Sequence, residues 1–195
     1  KAMIDDGLFD RFPVDNVFGM HNAPDLVAGA IATCPGAMMA SMDLFEVTVT
    51  GRGTHGAFPH TGIDPITIAT QLLSAWQTIV SRNVDPLESA VVSSTSINTG
   101  DSWNVIPNSV VIRGSVRTLS PEVRQLVDDR FHTLTHNIAE AFGAKAAISY
   151  RSVCPVTIND AEQTIFACDV ADTIFGKERV LRTMPAEMGS EDFSY

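Results

Sequence analysis

The chain is 195 residues long and carries 13 lysines and arginines against 23 aspartates and glutamates, a formal charge of −10. With 45% hydrophobic and 18% charged residues it has the composition of a folded chain with a sizeable core, which excludes a disordered or fibrous one. The acidic balance excludes nucleic acid or an anionic membrane surface as the main partner, and no apolar run approaches the ~20 residues of a membrane span.

In chain order, Lys1-Ala2-Met3-Ile4 reads as the tail of a helix stopped at Gly7. A short apolar strand, Asn16 to Met20, leads into His21, and Pro24 to Gly36 is turn-rich. Met42 to Thr50 alternates, with Phe45, Val47 and Val49 on one face, the pattern of a half-buried strand. A loop rich in glycine and histidine follows, Gly51-Arg52-Gly53-Thr54-His55-Gly56-Ala57-Phe58-Pro59-His60. Asp64-Pro65 caps a helix whose apolar stripe is Ile66, Ala69, Leu73, Trp76 and Val80, with Leu72 and Ile79 beside it. Strands are expected over Ser89–Asn98 and Ser109–Leu119. Ser120-Pro121 then opens a helix with Glu122 in its first turn, where the dipole favours an anion, and a stripe of Val123, Val127, Phe131, Leu134, Ile138 and Phe142. Lys145–Ser152 makes a further strand, Asp160–Phe175 a helix, and Arg179–Leu181 a short strand. At the end, Gly189 to Tyr195 reads as a helix start, with Ser190 as its cap and Phe193 beginning an apolar face.

The order β-α-β-β-α-β over about residues 42–153 is a ferredoxin-like split pattern: four antiparallel strands with two helices on one face. The fold class is therefore α/β with an α+β insertion. Residues 1–41 and 154–195 are two segments of one interrupted domain, and 42–153 is the inserted ferredoxin-like domain. Both ends read as cut inside helices, so the chain is expected to be an internal piece of a longer protein. No leader is visible, and with Lys1 first and no initiator Met an upstream one could be lost. Cys34, Cys154 and Cys168 are odd in number and form no CxxC, which reads as free thiols in a reducing cytoplasm; a disulfide between two of them stays open.

Chemistry-bearing residues leave alternatives. His132 and His136 have the i, i+4 spacing of a helical metal pair, but they fall opposite the Val123 stripe, on the solvated face, with no third ligand evident. His21, at a strand end, is either a ligand or a structural histidine. His55 and His60 lie in a glycine-rich loop that can approach a ligand closely or serve as a plain turn. The loop lacks the GxxxxGK[ST] phosphate cradle. Arg117, on the same strand face as Arg113, either clamps a carboxylate or sits on a solvated sheet edge. Asn104 is a turn residue or an amide donor to substrate. Met38, Met39 and Met42 read as core filling.

Six stretches, in register across essentially the whole chain, resemble the M20 metallopeptidase family, most closely its amidohydrolase branch of hippurate hydrolases, N-acyl-amino-acid hydrolases and auxin-conjugate hydrolases. They are Lys1 to Phe9, Phe18-Gly19-Met20-His21-Asn22, Gly51 to His60, Asn104-Val105-Ile106-Pro107, Val116-Arg117-Thr118-Leu119 and Met188-Gly189-Ser190-Glu191-Asp192-Phe193. The resemblance implies a ferredoxin-like lid and dimerisation domain inserted in a partial α/β metallohydrolase catalytic domain. It implies a homodimer through the lid, a pair of divalent ions per full-length subunit (zinc, manganese, cobalt or nickel), and N-acyl amino acids as substrates. By position, His21 matches a metal ligand, and His55 matches the lid histidine that reaches a partner subunit's site and stabilises the oxyanion. Asn104 and Arg117 match residues that hold the substrate carboxylate; Glu191 lies in a matching motif without an assigned role. The family's general-base glutamate and its other metal ligands fall outside this chain, so the chain alone is expected neither to retain metal nor to hydrolyse anything. Lid glycines Gly51, Gly53 and Gly56 would let the loop swing, whereas Thr54, where the family often has glycine, would stiffen it. The competing reading is a non-catalytic small-molecule-binding or dimerisation module of the same fold.

Overall fold

A computed structural model describes all 195 residues, which divide into two units: Lys1–Ala40 with Cys154–Tyr195, and Ser41–Val153. The first segment carries short helices α1 (Ala2–Asp5) and α2 (Leu8–Arg11) and strands β1 (Ile31–Ala32) and β2 (Gly36–Met39). The inserted unit runs β3 (Met42–Thr50), β4 (Thr54–His55), α3 (Pro65–Arg82), β5 (Ala90–Asn98), β6 (Val105–Ile106), β7 (Ser109–Thr118), α4 (Pro121–Ala141) and β8 (Lys145–Cys154). The last segment adds β9 (Thr157–Asn159), α5 (Ala161–Phe175) and β10 (Val180–Leu181).

Local chemistry starts the inserted helices where the sequence signals them. Asp64 accepts the Ile66 N–H at 2.9 Å and the Thr67 hydroxyl at 2.9 Å, and Pro65 occupies the first turn. Ser120 accepts the Val123 N–H at 3.2 Å and donates to Glu122 at 2.8 Å, a bond that holds the Glu122 carboxyl below its usual range. The four-stranded sheet has the order β5-β7-β3-β8, the ferredoxin-like arrangement. β7 pairs antiparallel with both β3 and β5.

One face of that sheet meets the two helices. Phe45, Val47 and Val49 of β3 and Val110, Ile112 and Val116 of β7 pack against Ile68, Leu72, Trp76 and Ile79 of α3 and Val127 and Phe131 of α4. At the centre, Phe45, Trp76 and Phe131 form a three-ring cluster with centroids 4.6–5.4 Å apart. Gly114 makes room for it: a Cβ there would stand 2.3 Å from the Phe45 ring and 2.0 Å from the Ser93 carbonyl. Two helix stripes differ from expectation. In α3 the buried row is Ile68, Ala69, Leu72, Trp76 and Ile79, while Ile66 is exposed. In α4, Thr135 and Ala139 are buried and Phe142 is exposed; Thr135 is accommodated because it accepts from the Trp76 indole at 2.9 Å and donates to the Phe131 carbonyl at 2.6 Å.

A polar brace ties α4 to the sheet. Asp43, 1% exposed, accepts from Arg124 Nε at 2.8 Å and again from its Nη2, which also donates to Ser152 at 2.6 Å. Beside it, burial, then the charges of Asp43 and Asp128, push the Tyr150 hydroxyl well above its ordinary pKa.

In the other unit, β1 pairs parallel with β10 and β2 antiparallel with β9. Cys168, Ala171 and Val180 form a small core with Ile31. The three cysteines are free and buried. Met39 is buried and Met38 half-buried, as core filling requires. Residues 16–20 are not a strand: they have no ladder partner within the chain, and Phe18 and Met20 are exposed. The final turn, Asp192–Ser194, is capped by Glu191 rather than Ser190. No helix is long and apolar enough to cross a membrane.

Candidate functional site

His55 and Asn104, 49 positions apart in sequence, meet on a two-stranded ribbon. β4 pairs antiparallel with β6, His55 opposite Val105 and Thr54 opposite Ile106, and the Gly56 N–H donates to the Asn104 carbonyl at 2.8 Å. The Ala57 N–H donates to His55 Nδ1 at 3.1 Å. A ring nitrogen that accepts carries no proton, so neutral His55 holds its proton on Nε2 and presents an N–H donor on an exposed imidazole. The Asn104 carboxamide and the Trp103 indole beside it are exposed as well. His60 lies in the exposed turn Pro59–Thr61.

The loop that carries His55 is braced by backbone and side-chain bonds. Gly51 N–H donates to the Asn108 carbonyl at 2.9 Å and Gly53 N–H to the Asn108 side chain at 2.8 Å. None of Gly51, Gly53 and Gly56 has positive φ. A Cβ on Gly51 would lie 2.2 Å from the Ile63 carbonyl and one on Gly53 2.7 Å from that of Ile106, so close approach is what excludes a side chain at both. Thr54 adds a hydroxyl contact to Thr61 at 2.7 Å. Asn108, which holds two of the three glycines, went unremarked in the sequence, where its place directly before the strand from Ser109 was the one available hint.

Arg117 is elsewhere. It lies on β7, a central strand and not an edge, on the open sheet face with Arg113, half-buried beside Met42 (Nη2 to Sδ 3.5 Å). Arg113 is paired across the strands with Glu46 at 2.6 Å. The His55–Asn104 ribbon joins the Ser109 end of β7, and Arg117 sits eight residues along it, about 26 Å away at ~3.3 Å per residue. Arg117 marks the end at which the chain enters the unit at Ser41 and leaves it at Val153, because the Ser41 N–H donates to the Thr118 carbonyl at 2.8 Å and Arg124 links Asp43 to Ser152. One copy of the chain therefore brings His55 and Asn104 together and leaves Arg117 out of their reach.

In the other unit, His21 Nδ1 lies 2.6 Å from Glu191 Oε2. A carboxylate only accepts, so the imidazole donates from Nδ1, and in the neutral ring it is Nε2 that carries the lone pair. That bond, then contacts with Asp192 and the Phe193 N–H, hold the Glu191 carboxyl below the usual carboxylate range. No three His, Cys, Asp or Glu side chains gather in the chain as a metal-holding group. His132 pairs with Asp128 at 2.7 Å and packs on Tyr150, while His136 is exposed.

Residues 41–142 match the peptidase dimerisation domain family. The chain is 45% identical over 193 residues to N-acetyl-L-cysteine deacetylase of Bacillus subtilis, covering 99% of this chain and 45% of that protein. It is 43% identical over 195 residues to hippurate hydrolase of Campylobacter jejuni, covering 100% of this chain and 51% of that protein. Among solved structures, the Bacillus subtilis YXEP protein, described as a dinuclear metal binding peptidase from the M20 family, superposes with a TM-score of 0.77 at 32% identity, over 98% of this chain and 47% of that one. The chain spans about half the length of the curated relatives it matches.

Proposed function

The chain belongs to the M20 peptidase family, and from that premise we propose that its full-length protein is a metal-dependent amidohydrolase cleaving the amide bond of N-acyl amino acids, hippurate-like ones included. It works as a homodimer through the Ser41–Val153 lid. The observation that carries the reading is the exposed Nε2–H of His55, fixed by the Ala57 N–H and set beside Asn104. That is a preorganised donor of the kind an acyl-transfer oxyanion needs. The hydrolase names of the relatives at 43–45% identity agree with it.

His21 would hold one of two divalent ions, zinc, manganese, cobalt or nickel, through Nε2, its Nδ1 being bonded to Glu191. When bound, such ions supply Lewis-acid polarisation and activate water near neutral pH. The residues of this chain do the rest. Arg117 orients the substrate by its carboxylate through paired N–H donors. Asn104 adds amide hydrogen bonds to that carboxylate, and His55 donates to the carbonyl oxygen as negative charge develops. Because Arg117 and the His55–Asn104 pair stand about 26 Å apart along β7, one small substrate meets His55 and Asn104 of one copy and Arg117 of the other. Three buried free thiols fit a reducing compartment, and we place the protein in the cytoplasm.

The test is a panel of N-acyl amino acids, N-benzoylglycine and N-acetyl amino acids first, offered to the full-length protein with divalent metal. Amino-acid release that a chelator abolishes is expected, with none from the 195-residue chain alone. A folded, metal-loaded, full-length dimer that cleaves nothing on the panel would favour the binding-module reading.

A further inference from the structure

We propose that Glu191 is the positioning residue of the metal site: its carboxylate accepts the Nδ1–H of His21, fixes the tautomer and tilt of that imidazole, and leaves Nε2 as the donor to metal. The inference rests on the reading of His21 as a ligand. A histidine with both nitrogens unengaged divides between two tautomers and several ring orientations, and only part of that population is ready to coordinate. A carboxylate on the far nitrogen removes this disorder and makes the ring more basic.

The carboxylate is itself held in place. Glu191 Oε1 accepts the Phe193 N–H at 3.3 Å while Oε2 takes His21, so each oxygen already accepts one bond and the orientation of the carboxylate is set from both sides. The Phe193 ring in turn lies against Gly19, where a Cβ would stand 3.2 Å from it. Gly19 is two residues before His21, so the segment is strapped at two points, ring on backbone and carboxylate on imidazole, across 170 positions of sequence. The Glu191 side chain is 27% exposed and that of His21 53%, so the carboxylate is the more enclosed of the two.

The experiment uses the full-length protein. In the metal-free wild type, long-range proton–nitrogen NMR is expected to find His21 protonated at Nδ1; a ring protonated at Nε2 alone overturns the proposal without any variant. Cobalt(II) affinity is then measured by chelator competition, with the visible spectrum recorded on the loaded protein. Glu191→Gln is expected to bind about 10–100-fold more weakly with an altered ligand-field spectrum and unchanged stoichiometry. His21→Ala separates the two ideas. If it leaves cobalt affinity and stoichiometry as in the wild type, His21 is no ligand and the underlying reading fails. If it lowers them while Glu191→Gln changes affinity less than twofold, only the positioning role is overturned.

Discussion

Replacing His55 by alanine in the full-length protein lowers kcat by about 10²–10³-fold while KM and bound metal change little. The expectation follows from the geometry of one side chain. Nδ1 is occupied by the Ala57 N–H, so Nε2–H is the donor that remains, and the ring is exposed at the tip of a braced ribbon. A donor aimed at charge that exists only in the transition state adds nothing to ground-state affinity, which is why the loss falls on kcat. Because His55 is exposed and outside the core, unfolding stability should not move. Steady-state kinetics across the panel decides it: a kcat within tenfold of wild type removes His55 from the mechanism.

Replacing Arg124 by methionine destabilises the lid by about 3–5 kcal/mol, because it strands a buried charge. Asp43 is 1% exposed and takes two donors from Arg124, which also holds Ser152. The reverse change is milder in principle, since Arg124 is itself 23% exposed and can turn toward water. Changing both partners, Asp43→Leu with Arg124→Met, should recover most of the loss, since no unpaired charge then remains. Urea unfolding followed through the buried Trp76 reads the lid directly. A single-variant loss under about 1 kcal/mol would make the pair an ordinary surface bridge.

Much of the fold was legible in the residues. Asp64-Pro65 and Ser120-Pro121 announce helices by local bonds, and the alternation of Phe45, Val47 and Val49 announces a strand. In α3 the apolar residues fill one half of the helix, and the sheet buries the Ile68, Leu72, Trp76 and Ile79 part of that half while its Ile66 edge stays exposed, a choice within the face that periodicity does not make. Thr135 entered the core through a bond to Trp76 that sequence does not display. The strand expected over 16–20 had the right residue types but no ladder partner within the chain. As for the candidate site, the motifs supplied the residue types, yet two relationships were invisible. One is the Glu191–His21 bond, which spans most of the chain. The other is the separation of Arg117 from Asn104, close in sequence at 13 positions but sent apart when the chain runs the length of β7.

That separation carries the central claim, a site shared between two copies, and subunit mixing tests it. His55→Ala and Arg117→Ala full-length proteins, each nearly inactive alone, are unfolded together and refolded as mixed dimers. A mixed dimer then holds one site with an intact His55 from one copy and an intact Arg117 from the other. About half the dimers are mixed by random pairing, so roughly a quarter of wild-type activity should return. Mixing His55→Ala with Asn104→Ala should return none, because those two residues travel on the same ribbon. Recovery in the second mixture, or none in the first despite verified mixed dimers, would contradict the account.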